Sequence, residues 1–149
     1  MMQTIWILRA VSLLACLTIL GGCSTTDTQT TRRPDASLTN TYWKLLSVEG
    51  VDVRVVDNQR EPHLIFLDDG QVRGHTGCNS LKGRYGASNG QLAFTAMAAT
   101  RMACQDNSVE TSMLIALQAT TQAQIRGDRL ILQSIAGDTL AVLGAVYLK

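Results

Sequence analysis

Chemistry in this chain centres on two cysteines. Cys78 lies in "GHTGCNSLKGRYG", Gly74 to Gly86, with Asn79 after it and Gly74, Gly77 and Gly83 close by, and Cys104 follows in "TRMAC". His75 precedes Cys78 by three residues and His63 lies upstream, so four ligands for a tetrahedral zinc ion can be written on paper. The pattern is weak, because no C-x-x-C pair occurs and His63 falls in an alternating stretch where a side chain more often meets solvent. A nucleophilic Cys78 with His75 as base is weaker still, since strand residues three apart point to opposite faces. A serine nucleophile has no G-x-S-x-G elbow, and the chain holds only two histidines for any triad. A disulfide is the remaining reading, and it depends on whether the chain leaves the cytoplasm.

The N-terminus speaks to that. Arg9 precedes "VSLLACLTIL", Val11 to Leu20, an uncharged apolar run too short to span a bilayer and of the length of a secretory signal core. "LGGC", Leu20 to Cys23, resembles the bacterial lipobox, which implies cleavage after residue 22 and acylation of Cys23. Two or three acyl chains give stable attachment where one gives only marginal binding. Ser24, rather than aspartate, after that cysteine resembles an outer-membrane address. Residues 1–22 are thus expected to be a lipoprotein signal peptide, and 23–37 the lipidated cysteine with a tether. "STTDTQTTRRPDAS", Ser24 to Ser37, has no large apolar side chain with which to order itself. Without residues 1–22 the chain carries 12 Lys and Arg against 12 Asp and Glu. Such neutrality excludes nucleic acid as an expected partner.

From about Leu38 to Lys149 short apolar runs alternate with turn residues. "YWKLLSV", "VDVRVV" with Val51, Val53 and Val55 on one side, "HLIFL", "QVRGHT", "KGRYGA", "QLAF", "AQI", "LILQSI" and "TLAVLGAVYL" read as strands. They are joined by Glu49-Gly50, Asp69-Gly70, Asn89-Gly90, Gly127-Asp128 and Gly137-Asp138, which suit tight turns. Arg126-Gly127-Asp128 is such a turn rather than an adhesion tripeptide, and the turn carboxylates are structural. One helix interrupts the series. Asn107 and Glu110 have capping-box spacing, and Val109, Met113, Leu117 and Thr120 fall on one face. The expected architecture is a β-rich α+β domain over 38–149: a bent antiparallel meander sheet or partly open barrel with one packed helix.

In an exported chain that loses Cys16 with its signal and Cys23 to lipid, the leftover pair Cys78 and Cys104 favours a disulfide. Closing that loop would contribute roughly 3.5 kcal/mol on the chain-entropy model.

Taken together, Trp43 in "YWKLLSVEG", Gly74, Gly77, Cys78, Asn79, Gly83 and Tyr85 in "LIFLDDGQVRGHTGCNSLKGRYG", Thr100, Met102 and Cys104 in "LAFTAMAATRMAC", and Glu110 resemble the META domain (HslJ-like) family. The resemblance spans nearly all of 38–149. It implies a compact β-rich fold with one helix, found in bacterial envelope lipoproteins, linked in some members to heat or antibiotic stress, with no established catalysis, cofactor or ligand. Cys78 is then placed to meet Cys104. Asn79 is expected to satisfy turn backbone groups or to take positive φ. The functional expectation is a non-enzymatic domain, lipid-anchored through Cys23 in the cell envelope, at the outer membrane facing the periplasm, contacting a protein or envelope component. The alternative is a carrier of a small apolar ligand or lipid in a pocket between sheet and helix.

Overall fold

The computed structural model describes residues 34–55 and 58–147, all within the compact unit Arg32–Lys149. The signal segment, Cys23 and the first part of the tether lie outside the described residues.

Nine strands and one helix follow in order: β1 Tyr42–Val48, β2 Val51–Asp52, β3 His63–Phe66, β4 Gln71–His75, β5 Ser80–Ser88, β6 Gln91–Ala99, α1 Ser108–Ala119, β7 Gln122–Arg126, β8 Arg129–Gln133 and β9 Thr139–Val146. All pairings between them are antiparallel, as tight turns between successive strands require. The order β1-β3-β4-β5-β6-β7-β8-β9 returns to β1 through a β1–β9 pairing that runs from Tyr42↔Val146 to Val48↔Ala141, so the sheet closes into a ring. The ring has one thin seam, a single register pair, Gln91↔Gln122, between β6 and β7. The fold is therefore β-rich α+β, and the closure adds what the meander pattern left open.

Inward faces follow the period of two. Trp43 and Leu45 of β1 are buried, and a register shift between Leu45 and Ser47 changes the phase so that Val48 also faces in. Leu64 and Phe66, Val72, Leu81, Leu92, Leu130 and Leu132, and Ala141 and Leu143 join them in one cluster. Each fully buried side chain of this size contributes roughly 1.5–3 kcal/mol. Trp43 satisfies its indole by donating from Nε1 to the Leu38 carbonyl at 2.9 Å. Tyr85 meets Phe66 edge-on, centroids 4.9 Å apart, while its hydroxyl donates to the Leu67 carbonyl at 2.8 Å.

The helix buries Met113, Ala116 and Leu117 in the same cluster, and Thr120 just past its end is buried too. It touches β6 on one side of the seam and β8, β9 and β1 on the other. Ile115 points outward and is exposed.

Two local expectations fail. Val51, Val53 and Val55 do not form a half-buried strand: pairing stops after Asp52, Val51 and Val55 are exposed, and only Val53 reaches the core. β3 takes over the same edge of β1 from Lys44 back to Tyr42, so the chain must leave that edge to let it in. The capping box at α1 does not form either, because Asn107 makes no side-chain cap bond and the Glu110 carboxylate is engaged elsewhere. Asp106 Oδ1 accepts from the Ser108 amide at 2.8 Å instead. This bond to its charged form holds the Asp106 carboxyl below its ordinary value.

The registers define two ends. Gly127, the Leu67–Gly70 turn and the start of the described residues lie at one: Gly127 donates to Asp35 Oδ1 at 2.6 Å, Ala36 donates to the Gly127 carbonyl at 2.9 Å, and Asn40 bonds to Asp68. At the other lie residues 58–62, the β4–β5 loop and the 100–107 segment.

Candidate functional site

At that second end three long connections lie beside the short Glu49–Gly50 and Ser134–Asp138 turns, and long connections leave backbone groups that strands no longer satisfy. Asn79 meets the need. It is 3% exposed, and its amide uses its full bonding capacity. Oδ1 accepts from Thr100 Oγ1 at 2.8 Å and from the Met102 amide at 2.7 Å. Nδ2 donates to both Glu110 oxygens, at 3.1 and 2.9 Å, and to Cys78 Sγ at 3.3 Å. Thr76 completes the cluster: its hydroxyl donates to Glu110 Oε2 at 2.5 Å and accepts from the Asn79 amide at 3.0 Å. Three segments distant in sequence, the β4–β5 loop, residues 100–102 and the first turn of α1, thus meet on one amide.

The cysteines lie beside it. Cys78 and Cys104 are at disulfide distance, with Cα atoms 6.2 Å apart. Gly77 takes φ +104°, a conformation closed to most side chains, and lets the loop turn back so that its carbonyl accepts from the Arg60 amide at 3.1 Å. Gly74 is needed for space, since a Cβ there would overlap the His63 carbonyl of the neighbouring strand. A Cβ on Gly83 would overlap the Met97 side chain.

His75, 7% exposed, accepts from the Gly77 amide at Nδ1 over 3.2 Å, which places its ring proton on Nε2. Burial pushes its pKa below the ordinary 6.5, and Arg60 and His63 push the same way against Glu110. His63 is turned to other partners: it stacks on Tyr42 at 4.3 Å, and its Nδ1 lies 2.9 Å from the Glu61 carbonyl. Among the described residues no three potential metal-ligating side chains cluster.

Between these loops lies a cleft of about 560 Å³. Asn58, Gln59 and Arg60 form one wall and Met102 to Asp106 the other, with His75, Gly77, Cys78 and Ser80 at the floor. Gln59 Nε2 reaches across to the Asp106 carbonyl at 3.3 Å.

The sequence model of the META domain matches residues 36–147, the whole of this arrangement. The chain belongs to the META domain family. Two solved solution structures are similar to this META domain. One covers 72% of this chain and 93% of its own, at 26% identity and a TM-score of 0.57. The other, from Burkholderia xenovorans, covers 74% of this chain and 85% of its own, at 28% identity and the same TM-score. No curated protein matches.

Of the residues singled out in the sequence, the structure brings Cys78, Asn79, Thr100, Cys104 and Glu110 together, with Gly74 and Gly77 shaping the loop. Trp43, Gly83 and Tyr85 lie elsewhere, in core packing. Met102 belongs to the cluster through its backbone amide only, its side chain being 68% exposed. Asn79 does not take positive φ. Gly77 takes the positive φ in this loop instead, and the Asn79 side chain is spent on bonding. Sequence reading missed Thr76, and it missed Arg60, whose uniformly polar surroundings gave no signal.

Proposed function

We propose that this META domain is the non-enzymatic contact domain of an envelope lipoprotein, anchored by lipid on Cys23 at the outer membrane and facing the periplasm. There it supports envelope integrity under heat or antibiotic stress by binding a protein or envelope component. One observation carries the reading: Asp35 and Ala36, near the start of the described residues, bond to Gly127 at the end of the ring opposite the cleft. A lipid held upstream of Asp35 by a short polar segment then leaves the cleft end turned away from the membrane. At 5 to 6 Å times the square root of its length, that segment would reach about 20 Å.

A lipid or small-ligand carrier would need open space between sheet and helix. Trp43, Phe66, Met113, Leu117 and Leu143 occupy that space, each no more than 1% exposed, which favours surface contact over carriage.

Metabolic labelling with an alkyne fatty acid tests the anchor. The expected outcome is label on the wild-type chain, none on Cys23→Ala, and release of the Cys23→Ala protein into the soluble periplasmic fraction. Equal labelling of both, or a cytoplasmic product, would overturn the reading.

A further inference from the structure

Arg60 forms no ion pair within the described residues, although it is exposed and lines the cleft. Asp106, whose Oδ1 is bound to the Ser108 amide, lines the same cleft. A cation with no ion pair among the described residues and a carboxylate in one cleft disfavour a multiply charged anion such as phosphate, which Asp106 would repel. They suit a ligand charged at one end only. The groups between are chosen for an amide: Asn58, Gln59 and Gln105 offer side-chain amides, and Ser80 a hydroxyl. An apolar strip, Met102, Ala103 and the Cys78–Cys104 pair, borders them, with the Met102 side chain 68% exposed. His75 supplies the only aromatic ring in the lining, so the stacking platform a sugar would use is small.

We propose that this cleft binds the free carboxylate end of a short peptide or N-acyl amino acid with a small side chain. The carboxylate pairs with the Arg60 guanidinium, whose fork of N–H donors matches two carboxylate oxygens. The adjoining amide bonds to the side-chain amides of the walls, and the small apolar side chain lies on Met102 and Ala103. The walls are held at their spacing by Gln59 bridging to Asp106 and by the Arg60–Gly77 backbone bond, so the site is formed before the ligand arrives.

The proposal deepens the reading of the cleft end as the contact end, and its test separates the two. Amide chemical shifts of the purified full chain, and of its Cys23→Ala form, are followed while acetyl-Ala-Ala, its C-terminal amide and acetate are titrated in turn. The expected result is saturable change at Gly77, Ser80, Met102 and Gln105 with the free acid, in both forms, at millimolar Kd or tighter. Amidation of the ligand and Arg60→Gln should each weaken binding by about tenfold or more, as loss of a charged hydrogen bond does. Arg60 is a surface side chain, so the variant keeps the fold. No saturable change up to about 10 mM, equal binding of acid and amide, or an unaffected Arg60→Gln variant would each overturn the proposal. Acetate binding as tightly as the dipeptide would also overturn it, reducing the site to a simple anion subsite. Anchoring plays no part in these outcomes, and the fatty-acid label plays none in binding.

Discussion

The two ends of the ring solve the same problem by different means. At the end that holds Asp35 and Gly127, turns are short, and exposed single pairs such as Asn40 with Asp68 and Tyr147 with Asp128 decorate them. At the cleft end, long connections converge, and one buried amide with a carboxylate, two hydroxyls and a cysteine pair holds them. Short turns distribute small contributions; a long-loop end concentrates large ones in few atoms. Substitutions should therefore be mild at the first end and severe at the second.

The largest effect is expected at Asn79. Asn79→Asp keeps the shape and the Oδ1 acceptor but sets a second carboxylate against Glu110, and Asn79→Ala removes the Met102 amide's acceptor and leaves Glu110 with Thr76 alone. Each should lower unfolding free energy by about 4 kcal/mol in denaturant titrations. If Asn79→Asp proved neutral, the amide would not be what joins the loops.

Next comes the cysteine pair. Reduction, or Cys78→Ser with Cys104→Ser, should remove up to about 3.5 kcal/mol. Intact mass after alkylation should show both thiols blocked until reductant is added. Hydrogen exchange should rise first in residues 100–107 and leave the Leu67–Gly70 turn unchanged, which would sharpen the contrast between the ends.

Acid should separate them further. His75 has its folded pKa below 6.5, so the fold is unburdened above 6.5 and loses stability as pH falls from 6.5 through the folded value. Asp68 has its carboxyl held below its ordinary 3.8, first by the Asn40 bond, so its contribution is present above 3.8 and is lost only as pH falls through a lower value. The His75 ring signals followed by NMR should titrate below 6.5, and the Asp68 turn only below 3.8. A His75 ring titrating at or above 6.5 would contradict this. The smallest effect belongs to Asn40→Ala, where an exposed pair is lost and the midpoint of denaturant unfolding should stay close to that of the parent.

How far the sequence could be read differs between the same two ends. Alternation in "LILQSI" or "QVRGHT" and turn pairs such as Asn89-Gly90 are local signals, and local signals placed the strands and the helix well. Glu110 shows where local reading stops. Its spacing from Asn107 is that of a capping box, yet its partners, Thr76 and Asn79, are more than thirty residues upstream. No period or propensity reports a bond across that separation. The β1–β9 closure escaped for the same reason, since nothing within either strand records which distant edge it will meet. The cysteines were legible because two remained after the signal and the lipobox were set aside, and counting needs no geometry. The cleft was not legible, because Arg60 and Asp106 acquire meaning only once the fold brings their distant segments to one cleft.

Ring closure bears on crowding. A sheet with open edges offers rows of unpaired amides and carbonyls to its neighbours and invites chain-to-chain strand addition. Here β1 carries partners along both sides, and unpaired edge is concentrated at the β6–β7 seam, where α1 lies against β6. At high local density, such a ring gives its neighbours little on which an aggregate could start to grow.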